Sequence, residues 1–359
     1  MTQMKTMLQT TVMFMFLTGL FSCSDKGWTE ATPDQFEDAM KSKGTCVIDV
    51  RTAAEYAEGH LYRAVNIDWQ KEGFIEEISK HFHGEDLLAI YCRSGKRSAE
   101  AAAFLSKAGF HVLNLTDGYT GWTAAGKMTN KYPVECISLP EGGNPLFVTL
   151  IKHGSLEMSY LGYSIQVDPV SGYGKNTDYA TEFPKADAIL ITHEHGDHLD
   201  KDAIMALSSA KTRIIMNPKS QQQTGMGEAL SNGEHTTLSP VGIIVEAVPA
   251  YNTTAGREQF HPKGNGNGYL IRFLGSLSAY VAGDTEDVPE MANLYDEKSR
   301  VTVAFLPVNQ PYTMTVDQCV NAARMVNPRI LIPYHFGQTD LSELPERLPE
   351  MKVLLRDMQ

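Results

Sequence analysis

The chain has 359 residues, which at roughly 100–200 residues per domain predicts two domains rather than one. With 42% hydrophobic and 21% charged residues, 29 Gly and 17 Pro, the composition excludes collagen-like, coiled-coil and wholly disordered classes. The 31 Lys and Arg against 43 Asp and Glu leave a net charge of -12, which repels phosphate backbones and argues against nucleic acid as a partner.

The first predicted element is a targeting segment over residues 1–22. Lys5 is the only charge before an apolar run from Val12 to Phe21, and that run is shorter than the roughly 20 residues that span a bilayer. It ends in Leu20-Phe21-Ser22-Cys23, which resembles the lipobox of bacterial lipoproteins, although Phe21 is bulkier than that pattern favours. The resemblance implies that Cys23 is lipidated and begins the mature chain, with a cleaved signal and an unmodified Cys, or an uncleaved anchor, as the alternatives. The expected location is the cell envelope, with a lipid anchor on the periplasmic or outer side of a bacterial membrane. The other cysteines, Cys46, Cys92, Cys136 and Cys319, match neither a zinc knuckle nor a dense disulfide framework.

Residues 28–126 alternate short apolar runs (Cys46 to Val50, Leu87 to Tyr91, Val112 to Leu115) with helix-like stretches (Ile75 to Phe82, Ser98 to Ala108). That alternation predicts an α/β domain with a parallel sheet and flanking helices. Residues 127–145 carry Pro133, Pro140, Gly142, Gly143 and Pro145 without a period and are expected to be a linker. A second domain is expected over 146–359. It is strand-rich at first (Phe147 to Ile151, Tyr163 to Val167). Further β runs follow at Ala188 to Ile191, Ile243 to Val248, Tyr269 to Phe273 and Ala279 to Val281, with helices near Asp202 to Ser209 and Val316 to Met325.

The run ending at Tyr91 delivers Cys92, then Arg93-Ser94-Gly95-Lys96-Arg97 and a strong helix former. A thiol at such a strand-to-helix hand-over meets backbone N–H groups and three basic side chains. These favour the thiolate and would stabilise the anionic terminal sulfur of a persulfide. A buried strand-end Cys beside solvated basic residues is the bland alternative. Taken in order, Ile48-Asp49-Val50-Arg51, Glu55-Tyr56, Gly59-His60, Ala64-Val65-Asn66-Ile67, Cys92 to Arg97, and Gly118 with Trp122 resemble a single rhodanese domain over about 100 residues. The six-residue loop from Cys92 is the length that accompanies sulfur transfer in that family. The resemblance implies that Cys92 carries the persulfide, that Arg93, Ser94, Gly95, Lys96 and Arg97 cradle it, and that Asp49 and Arg51 are structural.

In the second domain, the buried-strand run Ala188 to Thr192 is followed by His193-Glu194-His195-Gly196-Asp197-His198. Three imidazoles and a carboxylate within six residues supply the nitrogen and oxygen ligands that Zn2+ and related ions prefer. His193 and His195 can face one ion while Asp197 and His198 face a second, and a pair of ions roughly 3.5–4 Å apart activates a bridging water. Two later strand-like runs end at Asp284 and His335; alone, each is as readily a turn or surface residue. Following the first motif, they complete a pattern that resembles a metallo-β-lactamase-fold hydrolase. His153-Gly154-Ser155, Val167-Asp168-Pro169 and Leu306-Pro307-Val308 are similar to its lactonase-like branch, related to ascorbate-phosphate lactonase. The implied fold is an αββα sandwich from about Leu146 onward. Val248-Pro249-Ala250 is not followed by the third first-metal histidine usual in the family. His261 is the expected substitute, with His235 behind it. Glu194 and Gly196 are expected to shape the turn, and Asp197 to orient the attacking hydroxide.

The expected protein is a lipid-anchored enzyme joining a rhodanese-type sulfurtransferase to a hydrolase with two divalent ions, Zn2+ in the first place, Mn2+ or Fe2+ otherwise. Its expected partners are a small-molecule substrate, a thiol or other sulfur acceptor, and the membrane through the lipid. The alternatives are an iron-dependent persulfide dioxygenase coupled to sulfur transfer, and a non-catalytic envelope protein that binds metal or sulfur species.

Overall fold

The computed structural model describes residues 27–294 and 300–358, so the expected signal segment and Cys23 lie outside the described residues. The N-terminal unit is a five-stranded parallel sheet in the order Thr29–Ala31, His111–Leu115, Leu87–Tyr91, Thr45–Asp49, Val65–Asn66. Helices Pro33–Met40, Ala53–Glu58, Phe74–His81, Lys96–Lys107 and Gly118–Ala124 flank it. The central strand Leu87–Tyr91 is buried from Leu88 onward, the pattern of a parallel strand covered on both faces.

The larger unit has two seven-stranded sheets. In the first, Leu146–Lys152, Ser155–Tyr160 and Tyr163–Val167 form an antiparallel meander, continued by the parallel strands Ala188–Ile191 and Arg213–Met216. In the second, Ile243–Ala250, Gly266–Arg272 and Ser278–Val281 run antiparallel, and Val303–Pro307 and Ile330–Tyr334 follow Ser278–Val281 in parallel. Val148, Leu156, Ile165 and Leu190 of the first sheet meet Val245, Ile271, Phe305 and Ile332 of the second in one buried core. Helix Lys201–Leu207 covers the outer face of the first sheet and helix Val316–Val326 that of the second, completing an αββα sandwich.

The expected linker is structured instead. Thr129–Asn130 pairs with His60–Leu61 of the first unit, and Val134–Ile137 pairs with Leu146–Lys152 as the edge strand of the first seven-stranded sheet. Four residues between prolines are too few to show a period; their strand character comes from the neighbour they pair with.

The two units share a polar and aromatic contact. Tyr62 packs on Phe183 with ring centroids 6.2 Å apart, and its hydroxyl donates to Glu157. Tyr132 donates to Glu182 at 2.7 Å, and the Val134 N–H donates to the Tyr56 hydroxyl at 3.2 Å. Burial pushes the Glu157 carboxyl up from its ordinary value, against the hydrogen bond from Tyr62 and the charge of Arg63. A carboxyl raised on folding keeps its proton longer in the native chain. Above the unfolded value the native state therefore binds more protons, and stability falls as pH rises until the raised native value is passed. Glu157→Gln keeps an acceptor for Tyr62 and removes the ionisation. We expect it to flatten the stability profile above roughly pH 4.5 and to stabilise the protein at neutral pH, measured by chemical denaturation.

Candidate metal centre

The parallel strands of both sheets end at one edge, and the loops that follow them carry the candidate ligands. Tyr163–Val167 runs into Asp168, Ala188–Ile191 into Thr192 to His198, Ser278–Val281 into Asp284, and Ile330–Tyr334 into His335. The turn between Leu146–Lys152 and Ser155–Tyr160 adds His153, and the excursion after Ile243–Ala250 adds His261.

Three overlapping groups each place one ligand atom per residue within 4.8 Å of the others: His193, His195 and His261; His153, Asp197, His198 and His335; and His193, His198 and Asp284. Asp284 is the hub. Its oxygens lie 3.3 Å from His261 Nε2, 3.4 Å from His198 Nε2 and 3.4 Å from His335 Nε2. Asp197 Oδ2 lies 3.1 Å from His153 Nε2 and 3.6 Å from His335 Nε2. His235 stands on the exposed strand His235–Leu238 and joins none of these groups.

The other imidazole nitrogens are occupied. His198 Nδ1 faces Asp168 Oδ2 at 2.7 Å, His193 Nδ1 faces Thr192 Oγ1 at 3.0 Å, His261 Nδ1 donates to the Tyr312 carbonyl at 3.1 Å, and His335 Nδ1 lies 3.4 Å from Asn309 Nδ2. Holding Nδ1 fixes tautomer and ring orientation and turns Nε2 inward. Four buried atoms aimed at the common space, Nε2 of His198, His261 and His335 and Oδ1 of Asp284, have no hydrogen-bond partner. Buried polar atoms of this kind are normally satisfied, and a divalent cation satisfies nitrogen and carboxylate donors together. The residues present therefore fit a metal.

The charges agree. Burial alone would raise Asp284, but His335, His198 and His261 hold its carboxyl well below the usual range. Asp197 is likewise held low by His153 and His335 against burial. Burial opposes charge on His198, yet Asp284 and Asp168 push it up to about 10, while burial, reinforced by His198, presses His193 well below its ordinary value. A cation binding here displaces protons that the carboxylates otherwise attract.

Three site residues have left-handed backbones: His153 at φ 46, Asp168 at φ 43 and His335 at φ 45. Such conformations cost non-glycine residues of order 1–3 kcal/mol and persist where surrounding bonds dictate them. The His335 N–H donates to the His153 carbonyl at 3.1 Å, which locks two of the three together. Gly154 must be glycine, since a Cβ there would stand 2.7 Å from His198 Cε1. Glu194 turns away from the ligands to pair with Lys219 at 2.6 Å and to accept from Asn265 at 2.9 Å.

In the N-terminal unit Cys92 is buried at the end of Leu87–Tyr91, and its carbonyl accepts from the Tyr119 N–H at 2.8 Å. Gly95 caps helix Lys96–Lys107 at φ 82, where a Cβ would lie 1.7 Å from the Thr116 carbonyl oxygen. The basic side chains are not all turned to the thiol: Glu55 pairs with Arg97 at 2.7 Å and with Arg93 at 3.1 Å. Arg97 makes two bonds to Glu55, at 2.7 and 2.9 Å, and Arg93 makes one. Asp49 and Arg51 form a buried pair at 2.6 Å, with the Tyr91 hydroxyl on Asp49 at 2.7 Å and the guanidinium 4.3 Å from the Tyr119 ring. They brace the strand that delivers Cys92.

Sequence reasoning assigned no role to His153, Asp168, Asn309 or the Tyr312 carbonyl. The His153-Gly154-Ser155 and Val167-Asp168-Pro169 motifs were the available signal for the first two; the others act through a backbone or side chain with no motif. Asp168 carries a specific consequence. Asp168→Ala leaves His198 Nδ1 and Thr192 without their acceptor, and we expect metal affinity to fall about 10- to 100-fold in a chelator competition.

Residues 32–125 match the rhodanese-like domain family and residues 147–335 the beta-lactamase superfamily domain. A metal-dependent hydrolase of Thermococcus kodakarensis is 30% identical over 199 residues, 54% of this chain and 85% of that protein. One of Pyrococcus abyssi is 29% identical over 199 residues, with 54% and 85% covered. The crystal structure of a protein described as a metal-dependent hydrolase from Parabacteroides distasonis is 50% identical, with a TM-score of 0.58, covering 64% of this chain and 100% of that one. The inward-facing nitrogens and the hub carboxylate thus belong to a metal-dependent hydrolase of the beta-lactamase superfamily, carried on the same chain as an N-terminal rhodanese-like domain.

Proposed function

We propose that the protein is a lipid-anchored envelope enzyme with two activities: hydrolysis of a small molecule at a binuclear metal site, and sulfur transfer through a Cys92 persulfide. The observation that carries the first activity is the convergence of unpartnered Nε2 atoms on Asp284, each imidazole held from behind. His193, His195 and His261 would hold one ion, and Asp197, His198 and His335 a second, with Asp284 between them. When bound, divalent ions of this kind, zinc first and manganese or iron otherwise, lower the pKa of a water and polarise a substrate oxygen. Asp197 would also orient the attacking water, and His153 steadies that carboxylate at 3.1 Å. His153 also supports His335 through its backbone carbonyl.

Sulfur transfer uses the other unit. The Cys92 thiolate attacks the outer sulfur of a thiosulfate-type donor, the donor S–S bond breaks, and sulfite leaves with that bond's electron pair. An acceptor thiolate then takes the outer sulfur and returns the Cys92 thiolate. The loop from Arg93 to Arg97 would cradle the anionic sulfur, and Cys23 would supply the membrane attachment.

Cys92→Ala is expected to abolish sulfur transfer from thiosulfate to a thiol while leaving metal content unchanged; retained transfer would overturn the role of Cys92. Elemental mass spectrometry of Cys23→Ser protein purified without chelator should find close to two zinc or manganese ions per chain, and His261→Ala should lose about one. A single iron per chain would replace hydrolysis with persulfide oxidation.

A further inference from the structure

Among the described residues six large hydrophobic side chains are exposed, and two of them, Tyr173 at 58% and Tyr312 at 47%, belong to segments that touch the metal centre, one through its ring on His153 and the other through its carbonyl on His261. Chance would scatter exposed rings over the surface, and no role above uses these two. Both are fixed by the bonds that build the site.

Tyr173 has φ 66, a backbone that a non-glycine residue adopts only under constraint. The constraint is Lys152, whose buried ammonium donates to the carbonyls of Ser171, at 2.9 Å, Gly172 and Lys175 and so folds the loop around itself. The Tyr173 ring lies 4.9 Å from the His153 ring. On the other side, the Tyr312 carbonyl holds His261 Nδ1 at 3.1 Å and Asn252 at 2.7 Å, and the Tyr312 ring meets Phe260 edge-on at 5.1 Å.

The basic side chains around this mouth are cancelled. Arg257 pairs with Glu286 at 2.7 Å, Lys219 with Glu194 at 2.6 Å and Lys263 with Glu290 at 3.1 Å. A substrate with a charged phosphate or carboxylate tail would find no uncompensated cation among these three. A flat, uncharged group would find two aromatic faces, which favour offset or edge contacts with a third ring.

We propose that Tyr173 and Tyr312 form an aromatic clamp that selects uncharged substrates bearing an aromatic ring next to the scissile bond. The proposal rests on the metal-hydrolase reading of the same site and names its substrate class. Tyr173 and Tyr312 bind and select; the metal ligands and Asp197 remain the reacting machinery.

The test is calorimetric titration of the metal-loaded full chain with acetohydroxamate and benzohydroxamate, which share a metal-binding group and differ in a methyl against a phenyl. Benzohydroxamate should bind about tenfold more tightly, and 4-carboxybenzohydroxamate should lose most of that gain. Tyr173→Ala and Tyr312→Ala should each weaken benzohydroxamate about fivefold and leave acetohydroxamate where it was, while Tyr173→Phe keeps the preference. Equal binding of the two probes, or equal weakening of both in the alanine variants, would overturn the clamp. Absence of bound metal by elemental analysis would overturn the hydrolase reading instead, and is scored before any hydroxamate is added.

Discussion

The geometry of the metal centre hangs on the hydrogen bonds gathered by the Asp168 carboxylate. It accepts from the Thr192 N–H at 2.8 Å, the Thr192 hydroxyl at 2.6 Å and His198 Nδ1 at 2.7 Å. Its own N–H donates to the Leu190 carbonyl, and its carbonyl accepts from the Ser155 hydroxyl. One left-handed residue therefore ties the end of its own strand to the histidine loop and to the turn that carries His153. A buried carboxylate needs several donors to be tolerated, and here those donors are the parts of the site that must be aligned. Aligning a ligand and satisfying a buried charge are the same set of bonds.

That economy has a cost that the protein alone does not remove. Nε2 of His198, His261 and His335 and Oδ1 of Asp284 are buried without partners, and each such atom typically costs about 1–3 kcal/mol. The three imidazoles are oriented by the partners of their Nδ1 atoms, which keeps their Nε2 atoms turned toward Asp284. Cations placed among them would satisfy these atoms, which couples metal binding to the stability of this edge of the sandwich. Lys152 and Tyr312 extend the same framework outward, so the rim of the site is as firmly placed as its floor.

The N-terminal unit solves its problem with a different device. The buried Asp49–Arg51 pair is supported by Tyr91 and stacked on Tyr119, so the charge is desolvated but fully partnered. Glu55 meanwhile pairs with both Arg93 and Arg97. Both guanidinium groups of the loop that follows Cys92 therefore have a carboxylate partner. Against the sandwich the unit presents Tyr56, Tyr62 and Arg63, so the segment between the units is held in strand pairing on both sides.

Local order was the part of this protein legible in its residues. An apolar run followed at once by His193 to His198 needs no distant partner to declare a strand end bearing ligands, and Cys92 before a glycine and a helix former declares itself in the same way. The α/β class of the N-terminal unit followed from the alternation of runs, because period reports which face is buried, whereas the αββα sandwich was what the resemblance of the ligand motifs implied. What lay outside that reach depended on pairs far apart in the chain. Whether His261 or His235 meets His193 is decided by how the loop after Ala250 folds back. The strand at Val134–Ile137 exists because Leu146–Lys152 lies beside it, and the charge of Arg93 is spent on a glutamate 38 residues away. That Tyr173 reaches His153 while Tyr312 reaches His261 comes from two sheets meeting at one edge. Spacing along a chain encodes the face a side chain takes, but only packed sheets decide which side chain it meets there.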